Sequence, residues 1–111
     1  MNKQQIINYI LSLKAPKNGF YLQSGFNQKT LMSSAFSIIS LELINGMETI
    51  NKEIESNYFI SSQDQKTGLF IDSSWKGNIS NIQDVEKNYI HYQATAFSIS
   101  ALDALGYQPK Y

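Results

Sequence analysis

Tyr9-Ile10-Leu11-Ser12 and Tyr58-Phe59-Ile60-Ser61 are the two stretches whose likeness decides the fold. They lie 49 residues apart, and the same offset carries Lys17 onto Lys66, Gly19 onto Gly68, Phe20 onto Leu69 and Tyr21 onto Phe70. Downstream, Ala35-Phe36-Ser37-Ile38 recurs as Ala96-Phe97-Ser98-Ile99 at an offset of 61, which also aligns Leu41 with Leu102 and Glu42 with Asp103. The larger offset implies a 12-residue insertion in the second copy, between Phe70 and Tyr92. Matched blocks in the same order read as a tandem repeat, the first copy over about 3–46 and the second over about 47–106. The alternative is an ordinary helical bundle with accidental similarity.

Each copy reads as an outer helix, a turn and an inner helix. Ile6, Ile7, Ile10 and Leu11 form one apolar stripe at helical spacing over about Lys3 to Leu13, and Ala15-Pro16 ends it. Gly19 then supplies a backbone turn that other residues resist. The second helix is expected from near Thr30 to Asn45-Gly46, a left-handed stop. Apolar residues cover most of its circumference, which predicts burial on most sides. The third is expected over roughly Glu48 to Ser62, with Ile50, Ile54 and Tyr58 facing the core, Phe59 and Ile60 widening that stripe, and Asn51, Lys52, Glu55 and Ser56 facing water. The fourth runs from about Tyr89 to Leu105, again apolar almost all round, and Gly106 and Pro109 terminate it. Amphipathic and buried helices therefore alternate, which two layers of helices satisfy. The expected fold class is all-α: two tandem helix-pair repeats forming one domain over 1–111.

Composition narrows the function classes. Nine basic residues balance nine acidic ones, with none of the basic excess that a nucleic-acid binder or a polybasic membrane anchor carries. The absence of cysteine removes disulfides, thiolate nucleophiles and cysteine-ligated zinc, and fits a reducing compartment. Met1 to Gln5 runs into polar Asn8 and does not read as a signal peptide, and Leu31 to Ile44 is too short and too interrupted to span a bilayer. The expected location is cytoplasmic.

The stretch Tyr58-Phe59-Ile60-Ser61-Ser62-Gln63 followed by Gly68-Leu69-Phe70 resembles the repeat of the prenyltransferase and squalene-cyclase family. His91-Tyr92-Gln93-Ala94-Thr95-Ala96-Phe97, ending in Ala101-Leu102-Asp103-Ala104-Leu105-Gly106, resembles the inner helix of the same repeat. The first copy matches more weakly, with Lys14 where the second has Gln63. The resemblance implies an α/α-toroid, in which inner helices ring a central cavity and Gln63, Gly68, Phe70 and Gly19 act as a structural motif. It does not carry the family's chemistry. The Asp-rich acid motif of the cyclases is missing, and the Asp, Cys and His zinc ligands of the protein prenyltransferases cannot be assembled from a chain with no Cys and one His. A full toroid also needs roughly five to seven helix pairs, more than two repeats supply.

Two repeats cannot cover both ends of their own stack. Self-association, or a partner chain that completes the ring, is therefore expected; three copies would bring twelve helices. The connections from Gly19 to Thr30 and from Gly68 to Asn88 both precede an inner helix and emerge at one end. Loops on one face of a rigid scaffold are where binding sits. Tyr21, Phe26, Trp75, Tyr92 and Gln93 are the binding candidates there, for a small apolar or sugar ligand. The alternative is that Trp75 and Phe26 pack onto the core as loop anchors. His91, the side chain with an ordinary pKa near neutrality, begins an inner helix and makes a weak acid–base candidate with Asp72 or Asp84; the alternative is a helix-start histidine bonded to a loop. Glu42 and Asp103 occupy equivalent positions and read as structural. No ligand cluster suggests a metal, no phosphate loop or nucleophile elbow suggests a cofactor or hydrolase, and none of these is expected. The leading expectation is a non-catalytic repeat module that binds or scaffolds. The rival is a fragment or subunit of a toroid enzyme acting on an isoprenoid or a polysaccharide.

Overall fold

The computed structural model describes residues 2–25, 27–73 and 88–111. Its helices are α1 (Lys3–Ser12), α2 (Leu31–Leu43), α3 (Lys52–Ile60) and α4 (Tyr89–Leu105), with a short 3-10 turn at Met47–Thr49. Among the described residues there is no strand, only isolated antiparallel bridges in the turns. Trp75, Asp84 and Phe26 lie outside the described residues.

Side-chain caps fix where the helices begin. The Asn2 carboxamide oxygen accepts the Gln5 amide and Gln5 Oε1 accepts the Asn2 amide, both at 2.9 Å, so α1 opens on a reciprocal box. Thr30 and Ser33 do the same for α2 at 3.0 Å. The helix expected from Glu48 does not form as one piece. Ile50 and Asn51 are extended, and the Asn51 side chain accepts the Ile54 amide at 3.1 Å, so a new helix starts after it. Asparagine bonds its own nearby backbone more readily than it sits inside a helix.

The inner helices α2 and α4 pack along each other, α1 lies on α2, and α3 lies on α4. Phe20, Phe59, Phe70, Leu31, Ile38, Leu41 and Leu102 are wholly buried between these layers. Each such side chain contributes about 1.5–3 kcal/mol on leaving water.

The same bonds occur in both halves. Lys14 bridges to Phe20 as Gln63 bridges to Phe70. The Ala15 amide donates to Gly19 O at 2.9 Å, and that of Asp64 to Leu69 O at 2.7 Å. The Tyr21 amide donates to Leu13 O at 2.8 Å, and that of Ile71 to Ser62 O at 3.0 Å. The Phe20 amide donates to Ser34 Oγ at 2.9 Å on α2, and the Phe70 amide to Thr95 Oγ1 at 2.7 Å on α4. At the helix ends, Gly46 N–H donates to Leu41 O at 2.7 Å and Tyr107 N–H to Leu102 O at 2.9 Å, around left-handed Asn45 (φ 56°) and Gly106 (φ 84°). These pairs correct the sequence register in one place. Phe20, not Tyr21, corresponds to Phe70, so the offset is 49 before the turn and 50 after it. The second turn holds one extra residue, absorbed where the Gly68 amide turns back to Asp64 O at 2.8 Å.

Two burial expectations also change. The α4 helix is less covered than expected, with Ile99 45% exposed, and α2, buried along most of its length, still leaves Phe36 43% and Leu43 76% exposed. The buried face of α3 is rotated from the expected one: Ile50, Tyr58 and Ile60 pack on the core and Asn51 and Lys52 are exposed as expected, but three positions change. Glu55 and Ser56 are buried with Phe59, whereas Ile54 is exposed. The cause is polar satisfaction: Glu55 accepts the Gly19 amide at 2.8 Å and pairs with Lys14 Nζ at 2.9 Å. Ser56 Oγ turns back to Glu53 O at 2.8 Å. A partnered carboxylate and a self-satisfied hydroxyl tolerate burial that periodicity alone assigns to Ile54.

Candidate functional site at the loop end

The described start of the second connection reaches the end of the layers where the first connection enters α2. Asp72, which follows the second turn, accepts the amide of Leu31 at 2.7 Å through Oδ1. Leu31 is the first residue of α2, where unsatisfied amides and the helix dipole favour an anion. The loop of one half thereby caps the inner helix of the other. Burial raises the Asp72 carboxyl above the ordinary carboxylate pKa, and the Leu31 amide and the nearby His91 charge offset part of the rise. His91, in the first turn of α4, is buried. His91 thus lies within reach of the Asp72 charge, behind the Leu31 amide in its effect.

Tyr58 of α3 joins them. Burial pushes its hydroxyl well above the usual phenol pKa, the Asp72 charge adds to the rise, and the Ser34 hydroxyl opposes it. The Lys29 ammonium sits 4.7 Å from the Tyr58 ring centroid and donates to Asn18 O and Oδ1 at 2.9 and 2.6 Å. Burial lowers the Lys29 pKa first, and the neighbouring Lys14 charge lowers it further. An open cavity of about 380 Å³ lies beside the cluster, lined by Tyr58, Ser61, Ser62, Ile71, Asp72 and Ser73. It is large enough for a small ligand.

Chemically, the cluster is better equipped to hold structure than to react. Asp72 spends an oxygen on a helix start, and Tyr58 is held as a phenol at neutral pH. Thr95 on α4 donates to His91 O at 2.7 Å while accepting the Phe70 amide, so the first turn of α4 is locked to the second turn of the chain. Among the described residues no group of three or more His, Asp or Glu side chains is placed to hold a metal.

The remaining binding candidates are dispersed. Tyr21 sits in a backbone bridge with Lys29. Tyr92 and Gln93 are half-buried on α4, where the Gln93 amide donates to the Tyr89 hydroxyl at 3.1 Å. Gln63 is a clamp: Nε2 donates to Gly68 O at 3.0 Å and to Tyr111 O at 3.2 Å, and Oε1 accepts the Lys110 and Tyr111 amides at 2.9 and 3.0 Å. Gly68 and Gly19 take the left-handed φ values of 78° and 79° that their turns require. Phe70 is wholly buried. Lys14, in Gln63's place, reaches Ala15 O at 3.1 Å and Glu55 at 2.9 Å, stapling its turn to α3. Sequence reasoning missed Glu55 and Tyr58 as polar partners, because both sit on helical positions that periodicity explains without them.

A second surface is apolar. Met32, Phe36, Ile39 and Leu43 follow one another at helical spacing on α2, all partly or largely exposed. Phe36 meets Phe97 of α4 edge to face, with ring centroids 4.9 Å apart at 74°. No helix among the described residues is long and apolar enough to cross a membrane. Comparison with protein-family models, with curated proteins and with solved structures finds no match to this chain.

Proposed function

We propose that this chain is a non-catalytic helical repeat module of the α/α-toroid type, which binds or scaffolds as part of a larger ring or an oligomer. One observation carries the reading. The inner helices α2 and α4 expose Phe36, Leu43 and Ile99 while their other faces form the core. An apolar surface of this kind on a small domain marks an interaction site. The doubled turn-to-helix bonds, Phe20 to Ser34 and Phe70 to Thr95, support the tandem helix-pair arrangement. The resemblance to prenyltransferase and squalene-cyclase repeats supports the toroid. A cytoplasmic location belongs to the same reading.

The test pairs Phe36→Ser with Leu43→Ser. The wild-type chain is expected to scatter light as a species heavier than the 12.6 kDa monomer. The double variant is expected to be monomeric and still folded by circular dichroism, with a modestly lower melting temperature because Phe36 gives up its edge-to-face contact with Phe97. A wild type that stays monomeric at every concentration, or a variant that unfolds, counts against the proposal.

A second reading, a subunit of a toroid enzyme acting on an isoprenoid or a polysaccharide, draws on the proximity of Asp72 to His91. Its signature would be turnover that Asp72→Asn and His91→Gln abolish without unfolding the chain.

A further inference from the structure

The α2–α4 packing inside the chain specifies how a second copy would dock. At the offset of 61, Ala35 and Ile38 of α2 correspond to Ala96 and Ile99 of α4. The α2 pair is wholly buried, whereas Ala96 is exposed and Ile99 is 45% exposed. The difference reverses on the other side of the same helices. Ala101 and Leu105 of α4 are buried, but their α2 counterparts Ser40 and Ile44 are only half-buried. Each of the two helices has its own outer helix, α1 on α2 and α3 on α4, and they differ in that α2 has α4 at one flank whereas α4 has α2 at the opposite flank. Among the described residues each inner helix therefore keeps one flank less covered than its counterpart, and these flanks are the two complementary halves of the interface already formed within the chain.

Resting on the reading of an associating repeat module, we propose that a second copy of this chain docks head to tail, its Ser40–Ile44 flank of α2 against the Ala96–Ile99 flank of α4, continuing the α2–α4 packing between chains. The flanks are unlike, so the contact is heterologous and not two-fold. Contacts of this kind close into a ring when the rotation permits and otherwise extend into a filament. Small residues at both flanks, Ser40 and Ala96, allow the helix axes the same close approach that Ala35 and Ala101 allow inside the chain.

The natural absence of cysteine makes the geometry directly readable. Full-length Ile99→Cys and Ser40→Cys variants are treated with a short bismaleimide, each alone and mixed in equal amounts. A covalent dimer in the mixture and none in either single variant is the expected result. Dimers of Ile99→Cys with itself would mean a two-fold contact and overturn the proposal. Association without any product from the mixed pair overturns it too. If neither variant nor the wild type associates at all, the underlying reading fails with it. An Ile99→Glu variant supplies an independent readout: it stays folded by circular dichroism, because Ile99 is already 45% exposed, and its dissociation constant for self-association rises by at least about tenfold. An unchanged dissociation constant contradicts the proposal.

Discussion

Replacing Glu55 by alanine tests the orientation of α3, where sequence periodicity and structure disagree most sharply. The side chain is 2% exposed, accepts the Gly19 amide at 2.8 Å and pairs with Lys14 Nζ at 2.9 Å. Its removal strands a buried amide, which costs about 1–3 kcal/mol. It also removes the counter-charge of a largely buried ion pair, which costs up to about 3–5 kcal/mol when one partner is deleted. Lys14 is 27% exposed and keeps the carbonyls of Ala15 and Gly19, so the total falls toward the lower end, about 3 kcal/mol. In a chain of this size that corresponds to a loss of roughly 10–20 °C in melting temperature. Glu55→Gln retains an acceptor for Gly19 and should cost roughly half as much. Urea denaturation followed by circular dichroism measures both. If Glu55→Ala costs less than about 0.5 kcal/mol, as surface substitutions do, Glu55 faces water and the account of α3 is wrong.

Gly19→Ala and Gly68→Ala should separate strain from crowding. Both backbones are left-handed, costing an alanine roughly 1–2 kcal/mol, but only at Gly19 would the new Cβ meet Lys29 Cδ at 2.9 Å and Ser34 Oγ at 3.1 Å. Gly19→Ala should therefore be the more destabilising of the two in chemical denaturation. Ser98→Ala should be neutral or stabilising by about 1 kcal/mol, because the Ser98 hydroxyl is wholly buried with no hydrogen-bond partner among the described residues. Asp72→Asn should preserve the Leu31 cap and alter the acid side of the stability profile. A carboxyl whose folded pKa is raised binds its proton more tightly when folded, so its contribution grows as pH falls through the folded pKa and is complete below the unfolded value near 4. Melting curves between neutral pH and that range should show this component in the wild type and not in the variant.

Much of the fold was legible because it is written in terminators and in repetition. Asn45-Gly46 and Gly106 close the inner helices where the sequence indicates, and the offset of 61 links Ser34 with Thr95, which accept corresponding amides. What was not legible depends on long-range polar pairing. The burial of Glu55 is set by Lys14 and by the Gly19 amide, 36 residues away in the chain, and no local period reports such a partner. The one-residue slip between the turns escaped because Gly19 and Gly68 align at 49 while the buried aromatics align at 50. At the loop end, the sequence pairs His91 with Asp72 or Asp84 on chemistry alone. The bond from Asp72 to the start of α2, which recasts that carboxylate as a cap, needed three dimensions.

The claim beneath all of this is that one helix–turn–helix unit is built twice. Amide hydrogen exchange resolved by residue tests it most directly, at Phe20 with Phe70 and at Gly46 with Tyr107. The account predicts slow exchange at both members of each pair, since each amide is bonded into the same cap or inner-helix hydroxyl. Protection of Phe20 and Gly46 with free exchange at Phe70 and Tyr107, or the reverse, would contradict it.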